Sequence, residues 1–376
     1  MASNVSPLRS SPIPDPTTSP GHHLEAEADD DRDDDSAIFD DASVASSTTS
    51  LASSIMKHRE ENGRTYHTYK DGKYFYPNDE IGKLPNLMTI DLQHHVFTLS
   101  YGGKLISCPI DKDFQVQRVL DVGTGTGIWA IDYGDEHPEA KENDVPVLGI
   151  DLSPIQPSFL PPNVTFEIDD VEEPWTYSQK FDLIHARMVT SSLANVPKFF
   201  DQAFENTVPG GYIELADITV PICCDDGTMK NDSALLQWVL LLHEASKKAG
   251  QDWNASATYK AQMERVGYTD IAEKLHVWPM NKWPKDPKYK ELGMIYESKP
   301  ETWREYGWLM MAGLWTCENM LGGLQALCMG LFTRVLGWSK EEVEAFLVNV
   351  RKEVKDPKIH SYWNIRTVYA RKPLES

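Results

Sequence analysis

The chain has 376 residues, 41% of them hydrophobic and 25% charged, and a formal net charge of −21. That composition excludes fibrous and wholly unfolded classes and suits one large domain with additions, or two domains. An acidic chain repels phosphate backbones, which nucleic-acid binders attract with Lys and Arg, so DNA and RNA are excluded as partners.

The first segment, residues 1–53, is rich in Ser, Pro, Asp and Thr and carries the acidic run Asp29 to Asp35. Met1 to Ser50 hold eleven acids against two arginines, so they contribute −9 of the net charge. With so few large apolar side chains this tail cannot offset the entropy of ordering and is expected to be disordered. It lacks a basic stretch followed by an apolar one, so no secretory signal is expected, and its acidity argues against a mitochondrial presequence. Cys108, Cys223, Cys224, Cys317 and Cys328 show no C-x-x-C pair and no zinc spacing, and five cannot all pair internally. A reducing compartment follows, the cytoplasm, the nucleus or both.

Residues 54–115 read as an N-terminal arm. Tyr66, Tyr69, Tyr74, Phe75 and Tyr76 are interleaved with charge, and a helical-looking stretch surrounds Leu84 to Leu99. From Arg118 short apolar runs alternate with longer mixed ones: Arg118 to Val122, Val145 to Ile150, Val164 to Ile168, Phe181 to Ala186 and Tyr212 to Leu215. Strands separated by helix-length segments imply parallel βαβ units and a doubly wound α/β sheet. A mainly helical insertion is expected over about 226–346, with Leu235, Leu236, Val239, Leu240 and Leu242 on one face and a further strand near Lys274 to Pro279. Trp308 to Phe332, the most apolar stretch, is interrupted by Glu318, Asn319 and Gln325 and reads as a buried helix pair, so no membrane span is expected. The β-like run Ile365, Thr367, Val368, Tyr369 suits a late strand returning to the sheet.

Arg118-Val-Leu-Asp-Val-Gly-Thr-Gly-Thr-Gly-Ile-Trp-Ala carries the functional argument. It runs from an apolar strand through three alternating glycines into a helix, and such a loop lets a ligand approach bare backbone at a helix start. A dinucleotide fingerprint needs glycine or alanine at position 128, which is Ile128, and no G-K-[S/T] follows, so neither a dinucleotide nor a P-loop nucleotide fits. Asp121 would repel a pyrophosphate but suits a cationic amino group. The second strand ends at Asp151, where a ribose diol is usually bound, and the third ends at Asp169-Asp170 followed by Val171, where one carboxylate can accept from an adenine amino group. Each acid also has a plain reading: Asp121 as a helix cap, Asp151 as the start of an Asp-Leu-Ser-Pro turn, Asp169 as surface charge.

These residues resemble the class I methyltransferases, which bind S-adenosylmethionine through D-x-G-x-G-x-G and acids on the next two strands. The strings Glu61-Asn-Gly-Arg-Thr-Tyr-His67, Tyr76-Pro-Asn-Asp-Glu80, Gly125-Thr-Gly-Ile-Trp-Ala-Ile131, Asp151-Leu-Ser-Pro-Ile-Gln-Pro157, Phe181-Asp-Leu-Ile-His-Ala-Arg187 and Pro209-Gly-Gly-Tyr-Ile-Glu214 are similar to filamentous-fungal methyltransferases related to the LaeA regulator of secondary metabolism. The resemblance implies a Rossmann-like seven-stranded sheet over 116–376, and S-adenosylmethionine held by Asp121, Gly123, Thr124, Gly125, Gly127, Asp151, Leu152, Asp169, Asp170 and Val171. It also implies a small-molecule acceptor or, in the regulator reading, a velvet-type protein partner in the nucleus.

Methyl transfer from a sulfonium needs positioning more than a base. His185 and Arg187, at the end of the fourth strand, are the candidate catalytic pair; the competing readings are a hydrogen-bonded histidine within the sheet and a structural ion pair. Tyr66, His67, Tyr74 and Tyr76 are candidates for a lid, since aromatic faces attract a sulfonium and exclude water. Trp303, Trp308, Met310, Met311, Trp315 and Met320 either line an apolar acceptor pocket or form plain core. His94 and His95 lack a metal-ligand acid at suitable spacing, so no metal is expected.

Overall fold

The computed structural model describes residues 58–67, 75–77, 85–110, 114–137, 147–285 and 315–374. The acidic tail, Tyr74, and Trp303 to Met311 lie outside the described residues.

A two-stranded hairpin, β1 (His58–Glu61) and β2 (Arg64–His67), precedes helix α1 (Pro85–Ser100). The main sheet begins with β3 (Val119–Val122), followed by α2 (Ile128–Glu136), β4 (Val147–Asp151), β5 (Val164–Ile168) and β6 (Phe181–Arg187). Next come α3 (Val196–Asn206), β7 (Thr207–Ile218), α4 (Ala234–Lys248) and α5 (Tyr259–Val266). The chain ends with β8 (Thr269–Pro279), α6 (Trp315–Arg334), α7 (Lys340–Lys355) and β9 (Tyr362–Arg371).

Seven strands form one sheet in the order β5-β4-β3-β6-β7-β9-β8. The first five are parallel, and β9 runs antiparallel to both β7 and β8. Buried on both faces, the central strands β3, β4 and β6 read as mostly apolar runs, which is why Val119–Val122 and Phe181–Arg187 are legible as strands. This is the doubly wound architecture expected from the sequence. The stretch 226–346 is not wholly helical, because β8 crosses it and takes an edge of the sheet. Its period-2 pattern is weak, with Thr269 to His276 largely exposed, so only the Lys274–Pro279 half carries a sequence signal.

Alternation sorts each strand's side chains to the two faces. Val119 and Leu183 pack with Trp129 and Tyr133 of α2 on one face. Leu120, Val122, Ile184 and Ala186 pack with Phe199 and Phe200 of α3 and Tyr259 and Met263 of α5 on the other. A third cluster joins α1, α4, α6 and α7 beside Ala216, Trp278, Trp363 and Ile365 of β7, β8 and β9. Within it Glu353 of α7 caps α4, accepting from the Ser233 hydroxyl and the Ala234 and Leu235 N–H groups. Order therefore reverses between β4 and β6 on either side of β3, and a crevice at the carboxyl ends of those strands is where such sheets bind ligands.

Candidate functional site

A cavity of about 380 Å³ opens at that crevice. Its lining includes Asp121, Gly123, Thr124, Gly125, Asp151, Leu152, Asp169, Asp170, Val171, His185 and Arg187. The chain thus brings the glycine loop and acids from three successive strands, β3, β4 and β5, to one cavity.

The loop geometry explains its glycines. Gly125 has φ +58°, and a Cβ there would meet only Ile90 of α1, at 3.5 Å, so its backbone is bare toward the cavity. Gly127 is different: it is not among the residues lining the cavity. It caps α2 with φ +82°, and an added Cβ would lie 2.3 Å from Phe166 of β5, so it serves the packing of loop on sheet.

Asp121 is buried and both its oxygens are engaged: Oδ2 accepts the Thr124 hydroxyl at 2.6 Å, and Oδ1 accepts from His185 Nδ1 at 2.7 Å. Asp151 accepts the Gly125 N–H at 2.9 Å and the Ser153 N–H at 3.0 Å. Burial pushes its pKa up to about 6, although the N–H groups of Gly125, Ser153 and Leu152 pull it down. At the third strand end the two acids differ. Asp170 is buried and accepts the Glu172 N–H at 3.0 Å, whereas Asp169 is half-exposed and accepts the Asp170 N–H at 2.8 Å.

His185 does not have the surroundings of a general base. Its ring stacks on Trp129 at 3.6 Å and 5°, and burial pushes its pKa down to about 4 against the pull of Asp121. The imidazole is therefore neutral at pH 7, with Nδ1–H donating to the carboxylate. Arg187 is likewise held by protein. It donates to the Leu105 carbonyl and to His94 Nδ1 at 3.5 Å, and its guanidinium carbon lies 4.6 Å from the Phe97 ring centre and 5.3 Å from that of Tyr101. Burial lowers its pKa, while Tyr101 and Glu214 counter that.

Sheet register ties these groups together: Gly149, Asp121, His185, Glu214 and Tyr369 are successive cross-strand partners in one row. Glu214 accepts the N–H groups of Ser107 and Cys108, so Arg187 and Glu214 together fasten the 101–110 segment and α1 across the sheet. Helix α1 is further latched over the glycine loop, Asp91 accepting the Thr126 hydroxyl at 2.8 Å and His94 Nε2 pairing with Asp132 at 3.0 Å.

The expected lid residues separate. Tyr76 lines the cavity, its hydroxyl accepting from Trp253 Nε1 at 2.9 Å. Tyr66 is buried elsewhere, under the Arg334 guanidinium of α6 at 4.4 Å, because the β1–β2 hairpin packs on the far end of that helix. His67 ends β2. Of the expected apolar stripe, Met320 lines the cavity and Trp315 opens α6.

Several cavity residues carry no warning in the sequence. Ile90, His94 and Phe97 come from α1, and Met188 to Leu193 from the turn after β6. Trp238, Trp253, Trp278 and Trp363 form a second region. Trp278 ends β8 and Trp363 begins β9, and they are direct partners, so antiparallel pairing brings both to the sheet's carboxyl edge. An antiparallel last pair was the signal that could have found them.

Relatives decide what this cavity belongs to. The family described as "Methyltransferase domain" matches residues 93–273. "Methyltransferase pytC" of Aspergillus terreus is 34% identical over 325 residues, 86% of this chain and 91% of the relative. "Secondary metabolism regulator LAE1" of Cochliobolus heterostrophus is 35% identical over 320 residues, 84% of this chain and 95% of the relative. The chain belongs to the LaeA-like family of fungal methyltransferases. A third member, "Probable methyltransferase tdiE" of Emericella nidulans, is 31% identical over 86% of this chain. As a LaeA-like methyltransferase the chain is an S-adenosylmethionine-dependent enzyme. Its residues fit that cofactor: a bare glycine turn and three carboxylate-bearing strand ends offer acceptors for an amino group, a ribose diol and an adenine amine. No helix among the described residues is long and apolar enough to cross a membrane.

Proposed function

We propose that this LaeA-like methyltransferase methylates a small molecule of fungal secondary metabolism, and that residues 116–376 form its catalytic domain behind an arm at 54–115 and a tail at 1–53. The observation that carries the reading is the continuity of one cavity, which runs from the acids of β3, β4 and β5 to an apolar region lined by Tyr76, Trp253, Trp278 and Trp363.

Asp121 would hold the cofactor's amino group, Asp151 its ribose hydroxyls and Asp169 or Asp170 its adenine amine, with Gly123, Thr124, Gly125, Leu152 and Val171 around them. When bound, S-adenosylmethionine supplies a methyl group on a positively charged sulfur, which is already an activated leaving group. The protein's task is then to hold the acceptor atom in line and to exclude water. His185 acts as a positioning residue: its Nδ1–H fixes one oxygen of Asp121, and Trp129 fixes its ring. Arg187 holds α1 over the loop and so closes the cavity's roof. Incubation with a methyl-labelled cofactor and a fungal metabolite extract should give a labelled small molecule; no transfer to any extract component by protein that binds the cofactor would defeat the reading.

A second reading is regulatory, with a protein partner and a nuclear location as well as a cytoplasmic one. It is favoured by LAE1, which is named as a regulator and shares 35% identity over 95% of its own length. Rescue of a deletion phenotype by Asp121→Ala protein that no longer binds the cofactor would support it; loss of function in that variant supports the enzyme.

A further inference from the structure

Beyond the cofactor region the cavity continues into a chamber whose walls have a definite chemistry. Trp253 donates its Nε1–H to Tyr76 at 2.9 Å, and Trp278 donates its own to Ser100 Oγ at 2.7 Å. The polar edges of these two indoles are thus consumed by protein, and what they can show to a ligand is ring face. Trp363 stands beside Trp278 as its strand partner, and Phe97 packs edge-on to Trp278 at 4.7 Å. Opposite, α6 contributes Met320, Gly323 and Leu327, positions three and four apart and therefore one stripe of the helix.

Charge is nearly absent from that chamber. Among its described lining residues the one ionisable carboxyl is Asp217, which has no exposed surface and whose oxygens accept the Thr190 N–H at 3.0 Å and the Tyr259 hydroxyl at 2.7 Å. A carboxylate or phosphate on the ligand would find only Arg187, at the rim, whose guanidinium already donates to the Leu105 carbonyl and His94 and lies on the Phe97 ring. Burying an unpaired anion costs far more than burying an aromatic ring gains, whereas a cation is drawn to indole faces. Polar groups do occur at the seam with the cofactor region, where Thr190, Ser191 and Ser192 follow β6. The seam turn is held in place. Met188 takes φ +55°, its N–H donates to the Ala216 carbonyl, and Asp217 holds Thr190.

We propose that this chamber is the acceptor site and that it takes a flat aromatic molecule without negative charge, stacked among the tryptophans with its polar nucleophilic atom at the Thr190–Ser192 seam. The proposal rests on the methyltransferase reading of the adjoining cavity. Offset and edge-to-face contacts with indoles favour a planar ring over an aliphatic chain of equal area. Gly323 sets the chamber's depth, since a Cβ there meets only Leu327, at 3.7 Å.

The test uses the full chain saturated with S-adenosylhomocysteine and follows tryptophan emission during titration with 2-naphthol. Naphthalene-2-carboxylate serves as the anionic counterpart of the same ring. Saturable quenching by 2-naphthol is expected, with naphthalene-2-carboxylate weaker by about tenfold or more. In Gly323→Leu, a helix-compatible change that fills the chamber, 2-naphthol should weaken by about tenfold while S-adenosylhomocysteine affinity by calorimetry stays within about twofold. Equal or tighter binding of naphthalene-2-carboxylate overturns the claim that the chamber refuses an anion, and unchanged 2-naphthol affinity in Gly323→Leu overturns the location. No quenching by 2-naphthol in protein that binds S-adenosylhomocysteine overturns the acceptor chemistry and leaves the methyltransferase reading standing. Failure to bind S-adenosylhomocysteine removes both.

Discussion

Replacing Asp217 with Asn should remove a steep dependence of stability on pH. Asp217 is wholly buried on β7, with Thr190 N–H on one oxygen and the Tyr259 hydroxyl on the other, and no cation pairs with it among the described residues. Burial pushes its pKa up to about 7. In the unfolded chain a carboxyl titrates near about 4. The folded state therefore keeps a proton that the unfolded state releases. The stability this group contributes is complete below about pH 4 and is lost as pH rises through about 7. At about 1.4 kcal/mol per pKa unit, the loss between about pH 5 and about pH 8 is about 3 kcal/mol. Asn cannot ionise; its Oδ1 still accepts from Thr190, and the Tyr259 hydroxyl can turn to accept from Nδ2. Urea melts of wild type and Asp217→Asn at both pH values should therefore diverge by about 3 kcal/mol, the variant gaining as pH rises. Parallel pH curves for the two proteins would refute the reasoning.

Other expectations follow from the cavity. Asp151, raised to about 6 by burial, must be ionised to accept two ribose hydroxyls, so calorimetric affinity for S-adenosylhomocysteine should rise as pH climbs through about 6 and then level; Asp151→Asn should bind weakly with no such rise. His185→Asn should lower cofactor affinity without removing a limb from the pH–rate profile, because the imidazole is already neutral above its pKa of about 4. Loss of a limb near neutral pH would restore it as a base. Gly127→Ala should destabilise the fold by about 2 to 4 kcal/mol in urea melts, since its φ is left-handed and its Cβ would fall 2.3 Å from Phe166. A change of a few tenths would contradict the packing described.

The parallel half of the sheet was legible because strands buried on both faces are written as unbroken apolar runs, each followed by a helix or a turn. The glycine loop and the acids at 121, 151 and 169–170 were legible because they are local to strand ends. The remainder of the cavity was not, because it is assembled over long sequence distances. Trp253 meets Tyr76 across 177 residues and Trp278 meets Ser100 across 178, contacts that no short window encodes. Glu214 reads as an ordinary strand residue and Arg187 as half of a catalytic pair, yet register sets both on the face that fastens α1. Gly127 has a packing role that its place in D-x-G-x-G-x-G does not reveal, because the space it leaves is filled by Phe166.

Isothermal titration of the purified full chain with S-adenosylmethionine at about pH 7.5, beside Asp121→Ala and Asp151→Ala, addresses the account at its root. One saturable site in the wild type, weakened by about tenfold or more in each variant while both stay folded, is the result predicted. No heat of binding in the wild type, or variants that bind as tightly as it does, would contradict it.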